Sequence, residues 1–374
     1  MSEYRRCAVS VMDTIADPDI TFDDNGISNY YHWYKERVGL RVFEHDPSKL
    51  EYILEKIRNS GKGKEYDCLI GVSGGVDSTY VAYLTKKWGL RPLALHLDNG
   101  WNSELSIKNI ENTLNKLKID LITEVLDWEE FKAMQIAFLK SSTPDLEIPT
   151  DHAIYSCLFK MANQKGIKYI IYGNNFTSES ILPVTWSYGH LDWDYITQIL
   201  KRFAPTLKLQ SFPNITILKY FIYTFIKNIR IISILNYIPY RREEAMRILQ
   251  EELGWKYYGG KHFESIYTRF FQGYILPEKF RIDKRKAHLS TLIFSGQLTR
   301  EQALEELRKD PYPKELMEED RQYVIKKFNM TSSEFEAIMN LPNKTFRDYP
   351  NRSRQFNLLR KTLNTLRGKG IAYS

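Results

Sequence analysis

Cysteine is scarce in this chain: three among 374 residues, Cys7, Cys68 and Cys157, far apart and odd in number. That pattern excludes a disulfide framework and fits a reducing, cytoplasmic setting. Internal repeats and low-complexity tracts are absent, which excludes solenoids and disordered arrays. Residues 10–24 are acidic and polar and offer no apolar signal-peptide core, so export is not expected. A long basic tail is also missing. The net charge of +7 therefore favours an anionic partner without choosing among ATP, a nucleotide sugar, nucleic acid and a membrane surface. Uninterrupted apolar runs are lacking too. The most apolar stretch, residues 215–240, is broken by Lys219, Lys227, Asn228 and Arg230, short of the roughly 18–20 residues a membrane span needs. It reads first as one or two mostly buried helices and second as a surface touching a membrane. A hydrophobic content of 43% and an aromatic content of 14% fit a globular enzyme of one large or two ordinary domains.

What the chain does have is the loop Ser73-Gly74-Gly75-Val76-Asp77-Ser78. It lies between an apolar run, residues 67–72, that reads as a buried strand and residues 79–84, which read as the start of a helix. Paired glycines let the backbone bend so that successive N–H groups aim at one anion, and the helix start adds positive potential. No Gly-Lys-Ser/Thr follows, so no Walker lysine reaches a γ-phosphate. Asp77 would repel bare phosphate but suits Mg²⁺ beside one.

Strands and helices then alternate. Strands are expected at residues 92–97, 121–126 and 168–172, with helices at 47–60, 103–118 and 152–166. The fold class is α/β, a parallel sheet with helices on both faces. Its polar strand tips, Gly71 with the loop, Asp98-Asn99-Gly100 and Gly173-Asn174-Asn175, should converge on one crevice. Asp98 could accept a hydrogen bond from a ribose hydroxyl or join Asp77 on a metal. Three units are expected: residues 1–45, residues 46–185 carrying the loop, and a mainly helical substrate or partner region over 186–374. In the last, Lys261, His262 and Glu264, then Lys284, are dense in functional groups. The lysines could neutralise departing pyrophosphate, and His262 or Glu264 could move a proton from an attacking amine.

The loop resembles that of the PP-loop ATP pyrophosphatases, which split ATP to AMP and pyrophosphate. With V-M-D-T, D-P-D-I-T-F-D, L-H-L-D-N-G-W-N, P-T-D-H-A-I, G-N-N, I-L-N-Y-I-P-Y and G-G-K-H-F-E-S, the chain resembles the WbpG/PseA-type N-acetyl sugar amidotransferases. The resemblance implies conversion of an acetamido group of a nucleotide-linked or nonulosonate sugar into an acetamidino group. The route would be an AMP-activated oxygen and ammonia, in lipopolysaccharide O-antigen or related glycan biosynthesis. It implies ATP and Mg²⁺ held by Ser73, Gly74, Gly75, Asp77 and Ser78. It also implies a separate glutaminase subunit and a cyclase-like partner, similar to the histidine-biosynthesis pair, and no nucleic acid. Family members carry two Cys-x-x-Cys pairs near the start, where this chain has Cys7, Ser10, Ser28 and Tyr31; no structural zinc is expected, and His32 with Cys7 would make at best a weak site. Two alternatives stand beside this reading, a PP-loop tRNA-modifying enzyme and a non-catalytic scaffold of a polysaccharide assembly complex.

Overall fold

The computed structural model describes residues 3–39, 47–260, 263–356 and 358. A five-stranded sheet forms its centre: β1 (Cys68–Gly71), β2 (Pro92–Asp98), β3 (Asp120–Val125), β4 (Tyr169–Tyr172) and β5 (Arg230–Ser233), ordered β3-β2-β1-β4-β5. All neighbouring pairs are parallel. Ahead of the sheet lie α1 (Asn29–Gly39) and α2 (Pro47–Ser60). α3 (Val76–Lys87) links β1 to β2, α4 (Glu104–Leu117) links β2 to β3, and α5 (Trp128–Ser141) and α6 (Ile148–Gln164) link β3 to β4. α7 (Phe176–Glu179), α8 (Trp193–Phe203) and α9 (Ile217–Phe221), continued by a π-turn over Ile222–Ile226, precede β5; α10 (Arg242–Leu253) follows it. The remainder is helical: α11 (Ile266–Phe270) with a π-helical continuation over Phe271–Phe280, α12 (Arg285–Phe294), α13 (Arg300–Leu307), α14 (Lys314–Lys327) and α15 (Ser332–Met339).

Parallel strands are covered on both faces, and side chains alternate accordingly. Cys68, Ile70, Ala94 and Ile171 enter one core with Leu54 of α2, Val81 of α3, Leu114 of α4 and Leu249 of α10. Leu69, Leu93, Leu95 and Ile170 enter the other with Leu158 and Ala162 of α6. Helix ends follow local chemistry. Ser103 caps α4 by accepting from the Ser106 N–H at 3.2 Å, and Asp127 caps α5 by accepting from Glu130 at 2.9 Å.

Two expectations need correction. Residues 215–240 are not simply buried helix: Asn228, at φ 53°, ends the helical run, and residues 230–233 pair with β4 as the edge strand. The β-branched run Ile231-Ile232 suits a strand as well as a helix, and the open edge of β4 decides it. The division at residue 185 therefore cuts across the sheet. The first unit is likewise not separate. Met12, Ala16, Ile20 and Tyr34 share a core with α5, α8 and the C-terminal helices, and Lys286 of α12 reaches the buried Asp13 carboxylate at 2.6 Å. Where the family carries zinc thiolates, the Ser28 N–H donates to Cys7 Sγ at 3.3 Å, and both residues and Ser10 are buried. His32 turns outward to Asp23 at 2.9 Å, so it does not join Cys7.

Candidate active site

The chain leaves β1 toward β2 and β3 on one side and returns as β4 on the other. The sheet thus has its topological switch point between β1 and β4, where a crevice opens at the carboxyl ends of the strands. A cavity of about 640 Å³ occupies it, lined by Ser73, Gly75, Asp77 and Ser78 after β1 and by Gly173 and Asn174 after β4.

The loop is held from behind and open in front. Gly74 has φ +78°, and the Trp255 indole N–H donates to its carbonyl at 3.0 Å. A Cβ at Gly74 would lie 2.5 Å from the Ser106 carbonyl oxygen of α4. Ser78 Oγ accepts from the Ser73 N–H at 3.2 Å and lies 3.2 Å from Ser73 Oγ, which ties the loop's two ends together. Gly75 is the N-cap of α3, and no side chain caps that helix, in contrast to α4 and α5. The positive end of α3 thus faces the crevice without a capping side chain, where it favours an anion. Gly173 lets β4 approach closely, since a Cβ there would sit 3.1 Å from the Ser78 nitrogen.

Asp77 lies in the first turn of α3 and accepts a hydrogen bond from the Tyr240 hydroxyl. Burial and the adjacent Asp77 carboxylate push the Tyr240 hydroxyl far above its usual range, so it stays a neutral donor. Asp77 and Glu179 both line the cavity, and their carboxylate oxygens are the ligand type that Mg²⁺ takes beside phosphate. The residues fit a metal–nucleotide: Asp77 would hold the ion, which would neutralise phosphate charge.

The other expected residues divide. Gly71 and Glu264 line the cavity, and the Glu264 carbonyl accepts from the Ser103 N–H at 2.9 Å. Lys261 and His262 lie outside the described residues. Asp98 turns away, because its carboxylate accepts from the Gly100 N–H at 2.9 Å and from Asn102 at 3.2 Å; Asn99 and Asn102 line the cavity in its place. This is the Asx-turn habit of Asp in an Asp-Asn-Gly sequence. Lys284 lines the cavity as well, but its charge faces Asp145 and Asp151. Among the described residues, the cation on the loop side is Arg242, which shares the surroundings of Asp77 and Tyr240. Sequence reasoning missed it, as it missed Tyr240, Glu147 and Asp151.

Glu147 and Asp151 flank the start of α6, and with Asp145 and Lys284 they line a recess of about 100 Å³ beside the main cavity. Burial, then the neighbouring Glu147 and Asp145 carboxylates, push Asp151 well above the usual carboxylate range. Burial raises Asp145 in the same direction, opposed by the Ser187 hydroxyl that donates to it. Behind this wall His152 Nδ1 lies 2.6 Å from the His190 carbonyl, and its Nε2 accepts from the Ile215 N–H at 3.1 Å. Burial pushes His152 down to about 4.

A base whose folded pKa lies below its unfolded value loses stability as pH falls through the interval between them. The protein should therefore lose stability from about pH 6.5 to about pH 4, and His152→Gln should flatten that slope. Thermal melts across this range check it; an unchanged slope in the variant would contradict the assignment.

Fold and site together place a glycine-rich loop and an uncapped helix start at the end of the first strand, the arrangement of a phosphate cradle in nucleotide-using enzymes. Residues 49–211 match the NAD synthase family, and residues 264–363 match the family described as LPS biosynthesis protein WbpG-like, C-terminal domain. Together the two matches support a WbpG-type member of the PP-loop ATP pyrophosphatase superfamily. The chain is 26% identical over 293 residues to an uncharacterized protein of Methanocaldococcus jannaschii, covering 76% of this chain and 87% of that one. Among solved structures it is similar to a predicted subunit of tRNA methyltransferase from Methanocaldococcus jannaschii, with 17% identity, coverage of 49% and 74%, and a TM-score of 0.29. It is also similar to the NH3-dependent NAD synthetase of Campylobacter jejuni, with 18% identity, coverage of 55% and 84%, and a TM-score of 0.30.

Proposed function

We propose that the protein is an ATP-dependent amidotransferase that converts an acetamido group of an N-acetylated sugar into an acetamidino group. The observation that carries the reading is the composition of the crevice. One wall is the phosphate cradle, and another comes from the WbpG-like segment, with Glu264, Thr268, Lys284 and His288. An amide carbonyl is a poor electrophile. Its oxygen attacks the α-phosphorus of ATP, pyrophosphate leaves, and the carbonyl carbon becomes an imidate with AMP as leaving group. Ammonia adds to that carbon, and the C–O bond breaks to release AMP, which keeps the amide oxygen. The added nitrogen loses its surplus protons to a base. Acetamide, ammonia and ATP thus become amidine, AMP and pyrophosphate, with no protein nucleophile.

The residues supply the environment for each step. Residues 73–78 and Arg242 bind the phosphates, and Mg²⁺ at Asp77 would offset the charge on the departing pyrophosphate. Glu147 and Asp151 line the recess as carboxyl groups that can take a proton from the incoming nitrogen, and burial raises the proton affinity of Asp151 above that of an ordinary carboxylate.

Neither Cys68 nor Cys157 is suited to a glutaminase role: burial pushes both thiols up, Cys157 to about 12 and Cys68 beyond it. Free ammonium should therefore support turnover, and glutamine alone should not. A separate glutaminase subunit should restore the use of glutamine. The unassisted rate should rise with pH as free ammonia becomes available. The check is amidine formation by mass spectrometry with each nitrogen source. Glutamine-dependent product from this chain alone would refute the proposal.

A further inference from the structure

The helical run over residues 217–226 is apolar on the side turned away from the sheet. Its inner side is accounted for: Tyr220 and Tyr223 pack on Phe159 at ring distances of 5.5 and 5.9 Å, and Thr224 is buried. On the outer side Leu218 is 65% exposed, Ile226 68% and Phe221 37%, with Phe221 stacked on Phe225 at 4.7 Å. A surface helix ordinarily places charge there. A contiguous apolar patch of this kind marks a contact site.

The charge around it is one-sided. Between Asp194 and Glu243 the sequence has no acidic residue and eight basic ones, in a chain that elsewhere mixes both signs. Arg242 belongs to the crevice, but Lys219 and Lys227 bracket the exposed apolar face. Arg230 begins β5, and the Lys168 ammonium reaches the Lys227 carbonyl at 2.7 Å. Two copies of so basic a surface repel each other, which disfavours self-association through it. The helix is also convex, whereas a partner helix or peptide is normally received in a groove. A bilayer accepts a convex apolar ridge, and lysine stems let the ammonium groups stay at headgroup level while Leu218, Phe221 and Ile226 enter.

We propose that the segment 217–230 docks the protein on the surface of an anionic lipid bilayer. The contact is peripheral, since no helix among the described residues is long and apolar enough to cross a membrane. Lys168, Lys227 and Arg230 lie at the amino ends of β4 and β5, opposite the crevice, so docking there leaves the crevice open to soluble substrates. Basic residues near such a surface and the inserted side chains act together, so binding falls as salt rises.

The test is flotation of the full chain with vesicles of phosphatidylcholine alone, or of phosphatidylcholine with about 30% phosphatidylglycerol, at about 0.1 M and about 0.5 M NaCl. The wild type should float with the anionic vesicles, remain below with the neutral ones, and lose most binding at the higher salt. The double variants Leu218→Ser/Ile226→Ser and Lys219→Glu/Lys227→Glu should each cut the bound fraction at least about fivefold. All four side chains lie outside the core, so both variants should melt with the wild type. Failure of the wild type to float, or flotation of both variants as well as the wild type, would overturn the proposal. Concentration-dependent dimerisation abolished by Leu218→Ser/Ile226→Ser would also overturn it, by making the ridge a contact between copies. Salt-sensitive binding to an acidic polypeptide with none to vesicles would overturn it in favour of a protein partner.

Discussion

Asp77→Asn should abolish turnover while leaving the protein folded. Asparagine keeps the volume and still accepts from the Tyr240 hydroxyl, so the packing around the loop survives. The lost carboxylate is the group that would hold Mg²⁺ against the phosphates, an electrostatic contribution that grows as pyrophosphate leaves. A loss of at least about a thousandfold in kcat/KM is expected. Near the helix start, removing a negative charge costs only about 0.3–1 kcal/mol, a shift of a few degrees at most in melting temperature. Pyrophosphate release and a thermal melt on the same preparation check both halves. Full activity would sink the role given to Asp77, and gross unfolding would make the residue structural.

The second large effect is expected at Gly74. Its φ of +78° strains any other residue, and the added methyl would meet a backbone oxygen that no rotamer change can move. Gly74→Ala should destabilise the protein by about 1–3 kcal/mol and weaken ATP binding at least about tenfold, as the loop shifts off α4 and the Trp255 contact breaks. Gly75→Ala is the control. Gly75 has φ −71°, and its Cβ would meet only the ends of the Glu264 and Ser73 side chains at 3.2 Å. Its effect on stability should be the smaller of the two. Equal melting temperatures for the two variants would contradict the reading of the loop as wedged against α4.

The parts of the fold that could be read in advance are those set by local chemistry. Residues 47–60 form the expected helix, and the strands before the loop, after Gly89 and after Gly166 appear within a residue or two of their expected bounds, because apolar runs between glycines leave few alternatives. β5 could not be read, because Arg230-Ile231-Ile232-Ser233 sits in an apolar run whose helical and extended forms are decided by the free edge of β4. In the site, the loop and the tip after β4 were legible as turns at strand ends. Asp98 misled because its own turn uses its carboxylate. Arg242 and Asp151 were opaque for a different reason. Each is an ordinary charged residue at a helix start, given meaning only by the chain that folds against it from more than a hundred residues away. Asp151 had one visible clue, its place in P-T-D-H-A-I, but that string carried no role.

The central claim is that the amide oxygen of the acceptor is activated by AMP. The most direct measurement uses an N-acetylated sugar labelled with ¹⁸O in the acetamido carbonyl, incubated with ATP, Mg²⁺ and ammonium, followed by mass analysis of the nucleotide product. The account predicts AMP and pyrophosphate in equal amounts, with the ¹⁸O in the AMP phosphate and a nitrogen in its place on the sugar. Release of ADP and phosphate, or AMP free of label, would contradict it.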